Sequence, residues 1–200
     1  MQKLLHLKTS LFAEHGQSNQ LGEKFVAGLQ AKHPSAAIVT RDLAANPVPH
    51  LDGASFQAFL AKPEERTADQ QTRVAFSDGL IDELKSADVI VVGLPMYNLG
   101  IPSTLKSWID QIARAGITFR YTENGPQGLL SGKKVYVLAT RGGVYAGTSF
   151  DTQTDYVKNI FGFIGITDVE FIYAEGLNMG EDTRIAALRT AHATVDRLTA

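Results

Sequence analysis

The stretch from residue 89 to 110 constrains the fold of this chain more than any other. Residues 89–92 (VIVV) form a continuous apolar run, typical of a strand buried on both faces of a parallel sheet. Gly93 and Pro95 are expected to end that strand, and a polar loop follows at residues 96–100. Apolar residues three and four positions apart then indicate a helix; they are Leu105, Trp108, Ile109 and Ile112.

This loop therefore follows the carboxyl end of a central strand, where ligands bind in open α/β sheets. Taken alone, it is equally compatible with an ordinary surface connection whose Tyr97 and Asn98 are merely polar.

Strand patterns alternate with helical patterns along the rest of the chain. The other predicted strands are 3–7, 37–41, 135–140 and 169–173. Helices are predicted after Ser18 as N-cap, from Thr67 to Ser86 with a Thr67–Gln70 capping box, over residues 156–163, and through Ile185 to Val195. Residues 53–66 suggest a short helix and a charged loop, and residues 116–132, with the Asn124-Gly125 turn signal, an excursion outside the main sheet.

Alternation of strands and helices implies parallel pairing with right-handed crossovers. Five strands favour a doubly wound, flavodoxin-like α/β sheet of order 2-1-3-4-5, built as one domain over residues 1–200. In that order the first and third strands are neighbours. A binding crevice is therefore predicted between loop 8–18 and loop 96–99.

Composition excludes several function classes. The net charge of -2 gives no reason to expect nucleic acid or an anionic membrane as a partner, and the absence of cysteine excludes thiolate and Cys-ligated metal chemistry. The five histidines lack metal-ligand spacing, so no metal site is predicted. No apolar run approaches the ~20 residues that span a bilayer, and no signal peptide is evident, so we expect a cytoplasmic protein.

The loop at residues 8–18 has the chemistry of a phosphate site. It leads into a helix N-terminus, where free N–H groups and the helix dipole favour an anion, and Ser10 and Ser18 add hydroxyl donors. Gly16 allows close approach of the backbone. No Walker A or GxGxxG motif is present, so a phosphomonoester is expected rather than a pyrophosphate. A polar loop with a Ser N-cap is the alternative.

A third loop, Thr140-Arg141-Gly142-Gly143, also follows a predicted strand. Paired glycines allow a flat ring to lie against the main chain, although turns after strands use the same residues. Three loops converging on one edge of the sheet are a stronger indication than any one of them.

Several longer blocks are specific to one protein family. They are Ser10 with QSNQ at 17–20, RDLAANPVPHLDG at 41–53, PMYN at 95–98, ARAGITFRYTENGPQGL at 113–129, TRGG at 140–143 and FGFIGITDV at 161–169. Through these blocks the chain resembles, nearly end to end, the bacterial FMN-dependent NADH azoreductases, also called NADH:quinone oxidoreductases.

The resemblance implies FMN as cofactor and NADH as electron donor, with quinones and aromatic azo compounds as acceptors of a hydride from flavin N5. Donor and acceptor would use one flavin face in turn, which predicts ping-pong kinetics without a catalytic side chain. The resemblance puts the FMN phosphate on Ser10, Gly16, Gln17 and Ser18. It puts the flavin ring against Met96, Tyr97, Asn98 and Leu99 on one side and Thr140, Arg141, Gly142 and Gly143 on another.

Three residues depart from the commonest family pattern. Gly16 and Thr140 stand where Ser is frequent, and Leu99 stands where Phe is frequent. Gly16 thus removes a possible phosphate hydroxyl, and Leu99 removes an aromatic ring near the substrate.

The family is also dimeric, and each active site is completed by the partner subunit. The resemblance therefore suggests a homodimer, with Tyr121 and Phe163 bordering the substrate side. Plain core packing is the alternative for Phe163, because it lies in an apolar run.

Two other functions remain to be separated from the enzyme. A flavodoxin-type carrier would shuttle single electrons between proteins and usually presents a strongly acidic face, which a net charge of -2 supports poorly. A nucleotide-sensing regulator would bind flavin without turnover.

Overall fold

A five-stranded parallel sheet organises the molecule. The computed structural model describes residues 1–200. The strands are β1 Lys3–Lys8, β2 Ala37–Asp42, β3 Val89–Pro95, β4 Phe119–Thr122, β5 Gly125–Gly128, β6 Lys134–Thr140 and β7 Asp168–Ala174. The main sheet has the order β2-β1-β3-β6-β7, with every pair parallel. Counting only its own strands, this is the predicted order 2-1-3-4-5, so the fold prediction is confirmed.

Six helices cover the sheet. They are α1 Gln17–Lys32, α2 Gly53–Leu60, α3 Ala68–Ser86, α4 Ser103–Ile112, α5 Thr154–Phe163 and α6 Glu181–Thr199, with short 3-10 turns at Ala13–His15 and Pro63–Glu65. None of these helices combines the length and apolarity needed to cross a membrane.

Alternate side chains of the strands belong to two separate apolar cores. Leu5 packs with Leu84 and Trp108 on the face covered by α3, α4 and α5, and Leu4 packs with Phe25 and Val195 on the face covered by α1 and α6. Because successive side chains of a strand point to opposite faces, this division requires helices on both sides of the sheet.

The third strand is longer than predicted. It continues through Gly93 to Pro95, which lies opposite Thr140 of β6. Gly93 does not interrupt the strand because its missing side chain makes room for the start of α1: a Cβ there would lie 3.1 Å from the main-chain oxygen of Ser18. The glycine thus brings the helix N-terminus close to the carboxyl end of the central strand.

The predicted N-cap of α1 is wrong. Gly16 is the N-cap residue, and Ser18 lies inside the first turn of the helix. By contrast, the capping box of α3 is present, with the Thr67 side chain and the Gln70 side chain each accepting the other's main-chain N–H.

The predicted excursion outside the main sheet is a separate antiparallel hairpin of β4 and β5. Its tip is the Asn124-Gly125 turn, where Gly125 has a φ of 102°. Its base lies against the end of α5, since Leu130 donates its N–H to the carbonyl of Ile164 at 2.8 Å.

Candidate functional site

Four loops at the carboxyl edge of the sheet surround one crevice. We call them loop A (residues 9–16, after β1), loop B (96–100, after β3), loop C (141–153, after β6) and loop D (175–180, after β7). The crevice encloses about 360 Å³, within the range of small-molecule sites. Its position matches the predicted switch point of the sheet.

Eight of the predicted cofactor residues line this crevice. They are Ser10, Gly16, Gln17, Met96, Tyr97, Thr140, Arg141 and Gly142. The other four predicted residues lie beside the lining rather than in it: Ser18 is buried under loop A, Asn98 and Leu99 form the tip of loop B, and Gly143 follows Gly142.

Loop A closes tightly on itself. The Ser10 hydroxyl accepts the N–H of Phe12 at 3.2 Å, and a Cβ added at Gly16 would lie 2.1 Å from that hydroxyl oxygen. Gly16 has an ordinary extended conformation, with a φ of -71°, so closeness rather than backbone geometry excludes a side chain there. A serine at this position would therefore force Ser10 to move.

The start of α1 offers donors to an anion. Gly16 caps the helix without a side-chain hydrogen bond, which leaves first-turn N–H groups free. The hydroxyl of Ser18 is buried and has no hydrogen-bond partner in the chain. A buried hydroxyl without a partner is unusual in a folded protein and suggests that a ligand satisfies it.

Loop B is a strained two-residue turn. Tyr97 and Gly100 exchange main-chain hydrogen bonds of 2.9 and 3.2 Å, and the two residues between them have left-handed φ angles of 51° (Asn98) and 62° (Leu99). Neither is glycine, so each costs roughly 1 kcal/mol or more of backbone strain. The N–H groups of Asn98 and Leu99 have no partner in the chain.

The hydroxyl of Tyr97 connects loop B to loop A. It accepts the N–H of Leu11 at 3.0 Å and lies 3.4 Å from the Ser10 hydroxyl. Loops A and B, which flank the predicted switch point, are therefore linked by a direct hydrogen bond.

Loop C is supported from behind by loop D. The carbonyls of Arg141 and Gly142 accept the N–H groups of Leu177 and Asn178, at 3.1 and 2.9 Å. A Cβ at Gly142 would lie 2.6 Å from the Asn178 amide nitrogen, so glycine permits this close approach. The N–H groups of Gly142 and Gly143 make no hydrogen bond within the chain.

The side chain of Arg141 does not face the crevice. Its guanidinium is fully buried and binds Asp151 at 2.7 Å and Glu175 at 3.1 Å. Burial alone would raise the pKa of Asp151, but hydrogen bonds from Arg141 and Thr154 outweigh it and hold that pKa below its usual value. Arg141 can thus offer only its main chain to a ligand.

The two predicted substrate-side aromatic residues lie together but outside this crevice. The ring of Phe119 lies 4.2 Å from that of Phe163 and 5.6 Å from that of Tyr121. Phe163 is half-buried against the core, whereas Tyr121 is 73% exposed on the hairpin.

Sequence reasoning missed six residues that line the crevice. They are Phe12, His15, Pro95, Leu177, Asn178 and Arg184. Pro95 and His15 lie within or beside motifs already singled out, but loop D and the first turn of α6 carried no motif of their own.

The charge of the crevice favours an anion. None of its lining residues is a carboxylate. Two arginines line the crevice, and the side chain of Arg141 is paired in the interior. The side chain of Arg184 remains available to an anion, because its only ion pair is a long 3.6 Å contact with exposed Glu181. The structure contains no group of three or more His, Asp or Glu side chains placed to hold a metal ion.

Comparisons with known proteins agree with this geometry. The family model described as a flavodoxin-like fold matches residues 2–198. The FMN-dependent NADH:quinone oxidoreductase of Alcanivorax borkumensis is 61% identical over 94% of this chain and 95% of its own length. The chain belongs to this family.

Other oxidoreductases of the family give the same result. FMN-dependent NADH:quinone oxidoreductase 6 of Burkholderia lata is 51% identical over 98% of both chains. The crystal structure of an azoreductase from Bacillus anthracis has a TM-score of 0.91 and 31% identity, covering 100% of this chain and 99% of its own. A Bacillus anthracis FMN-dependent NADH-azoreductase in complex with FMN has a TM-score of 0.88 and 26% identity over the whole of both chains. The predicted membership of this oxidoreductase family is therefore confirmed.

Proposed function

We propose that this chain is an FMN-dependent NADH oxidoreductase that transfers two electrons as hydride to quinones and aromatic azo compounds. The observation that carries the proposal is the crevice itself, because loops B and C leave main-chain N–H groups unpaired beside it, at the same edge of the sheet as the start of α1. The names of the two relatives reported above give the same cofactor and electron donor.

The residues of the crevice fit FMN. Ser10, Gly16, Gln17 and Ser18 would hold its phosphate, since helix N-termini bind anions and the buried Ser18 hydroxyl has no other partner. Residues 96–99 and 140–143 would border the ring, and their glycines and open turn allow a flat ring to approach the main chain. Arg184 is positioned to add a cation at the crevice wall.

Bound FMN supplies the hydride chemistry, and the chain supplies position and electrostatics. The N–H groups of Asn98, Gly142 and Gly143 are donors with no partner of their own, suited to stabilise negative charge. Main-chain donors held in turns need little reorganisation when charge appears. No carboxylate lines the crevice, and the His15 side chain is exposed, so we expect protons to come from solvent or from the flavin.

NADH and the acceptor would occupy the same open side of the crevice in turn. Loops C and D form one continuous wall of the crevice, since their main chains are hydrogen-bonded to each other. Alternate occupancy predicts parallel double-reciprocal lines when NADH and quinone are varied together. Intersecting lines would reveal a ternary complex and contradict the shared site.

A flavodoxin-type carrier would need protein partners for turnover. NADH oxidation by the purified chain, with a soluble quinone as the only acceptor, separates the two functions. We expect continuous turnover, whereas a carrier or a flavin-binding regulator would show none.

We further propose a homodimer in which Tyr121 and Phe163 of one subunit border the acceptor site of the other. Exposure of Tyr121 supports this, because an exposed aromatic side chain on a projecting hairpin is a typical interface residue. We also propose that residues 1–200 act as one FMN-binding domain in the cytoplasm, with small aromatic acceptors rather than nucleic acid or membranes as partners.

A further inference from the structure

One buried amide ties both ends of loop B together. Gln153, at the end of loop C, is fully buried, and its amide nitrogen donates to the carbonyls of Pro95 and Gly100, each at 3.0 Å. Its amide oxygen accepts from Nε of Arg141 at 3.2 Å. A guanidinium can only donate, so this contact sets the orientation of the amide and leaves its NH₂ group for the two carbonyls.

Loop B needs such an anchor. Asn98 and Leu99 both have left-handed conformations, and strained turns persist only where surrounding contacts over-determine them. The carbonyls of Pro95 and Gly100 flank this turn, and a single side chain holds both. The Thr152 hydroxyl, next to Gln153, donates to the carbonyl of Leu99 between them.

The same network shapes loop C. Arg141 is held by Asp151 and Glu175, and one carboxylate oxygen of Glu175 also accepts the N–H groups of Tyr145 and Ala146, both at 2.9 Å. Arg141 immediately precedes Gly142 and Gly143, whose N–H groups are unpaired. Gln153 is therefore the direct side-chain link between loop B and the buried ion pairs of loop C.

We propose that Gln153 is a positioning residue for the flavin. It holds the N–H group of Asn98 through Pro95 and Gly100, and those of Gly142 and Gly143 through Arg141, so that these donors keep a fixed relative arrangement. This inference rests on the proposed function, since it assumes that the crevice binds FMN. Donors in fixed positions favour the reduced, more negative flavin, so Gln153 sets the midpoint potential of the bound cofactor as well as its affinity.

The chain offers a matched control. Gln111 of α4 is also buried, and its amide nitrogen donates to a proline carbonyl, that of Pro49, at 3.2 Å. It lies outside the crevice lining. Gln111→Met and Gln153→Met thus remove the same kind of buried hydrogen bond at two places, and only one of them supports the flavin loops.

The experiment measures three quantities for wild type, Gln153→Met and Gln111→Met: the thermal midpoint of the apo-protein, the dissociation constant for FMN, and the midpoint potential of bound FMN. Both variants should lower the thermal midpoint. Only Gln153→Met, which removes all three hydrogen bonds of the amide, should weaken FMN binding, by about tenfold if one main-chain donor to the flavin is displaced, and shift the potential to more negative values. Equal FMN affinity and potential in the two variants would overturn the inference.

A second variant separates loss of the donor from loss of the acceptor. Gln153→Glu keeps an oxygen acceptor for Arg141 but removes the donor to Pro95 and Gly100. It should weaken FMN binding and lower the potential as Gln153→Met does, whereas wild-type values would overturn the inference. Failure of the proposed function is distinguishable, because wild type itself would then bind no FMN.

Discussion

Loop B and the β4–β5 hairpin both project side chains to the surface, but they are held in different ways. Leu99 at the tip of loop B is 38% exposed, yet its turn is fixed by main-chain bonds, by the Tyr97 hydroxyl and by the Gln153 amide. The hairpin is fixed only at its base, and Tyr121 toward its tip is 73% exposed. Contacts within one chain are therefore enough to fix loop B, whereas the aromatic surface of the hairpin stays uncovered in the single chain.

The largest effect is expected where the cofactor loops are tightest. In Gly16→Val, the new side chain would occupy the position of the Ser10 hydroxyl and should weaken FMN binding by about 100-fold, or ~3 kcal/mol. The fold should remain intact, because residues 11–15 of loop A are exposed and the loop contributes no side chain to either apolar core.

Gly79→Val is the control for this change. Gly79 lies in α3 with no atom near its missing Cβ, so the variant should keep wild-type affinity in a titration of FMN fluorescence. Unchanged affinity in Gly16→Val as well would contradict the placement of the phosphate.

The hairpin should respond in the opposite way. Tyr121→Arg should weaken self-association by roughly 30-fold, as loss of an interface aromatic residue does, and abolish quinone reduction while leaving FMN bound. Sedimentation would then shift from twice the chain mass toward the monomer mass of 21.7 kDa.

Arg120→Ala is the matched control on the same strand, since neighbouring side chains of a strand point to opposite faces. It should leave the mass unchanged. A wild-type protein that is monomeric and fully active would exclude the proposed dimer.

A smaller effect is expected at Ser18. Since Ser18 does not cap α1, Ser18→Ala should barely change thermal stability, but it should weaken FMN binding by about fivefold, or ~1 kcal/mol, through loss of one phosphate hydrogen bond. Riboflavin lacks the phosphate and should bind wild type and variant equally. Equal FMN affinity in the two proteins would show that the buried hydroxyl does not contact the cofactor.

The smallest effect is expected at the Tyr121 hydroxyl. Tyr121→Phe keeps the aromatic ring, so it should change KM for the quinone about twofold and leave kcat unaltered, an effect of less than ~0.5 kcal/mol. Steady-state kinetics would measure both constants. A large fall in kcat would instead assign the hydroxyl a role in proton transfer.

The parts of the fold that follow from local periodicity could be predicted from the sequence. The apolar run of β3 and the amphipathic stripe of α4 identify a strand and a helix, and alternation of such elements leads to the sheet order. The sequence misplaces the cap of α1 because Ser18 has the preferred residue type, whereas the cap is Gly16, which has an extended conformation and makes no side-chain cap hydrogen bond.

The candidate site was predictable only where it lies on motifs. Gln153 and Asn178 could not be predicted because their contacts span long sequence separations, such as the 58 residues between Gln153 and Pro95. Arg184 could not be predicted because no motif marks the first turn of α6. Arg141 is predicted beside the ring, but the pattern does not show which part of the residue faces it; burial of the side chain with Asp151 and Glu175 leaves only the main chain to meet a ligand.

The most direct test of the proposed function is the absorbance spectrum of the purified protein before and after anaerobic addition of NADH. The oxidised-flavin spectrum should bleach with about one equivalent of NADH per chain, return when a quinone is added, and belong to a chromophore that is released as FMN. A spectrum that NADH leaves unchanged, or a released chromophore that proves to be FAD, would contradict the assignment of this crevice.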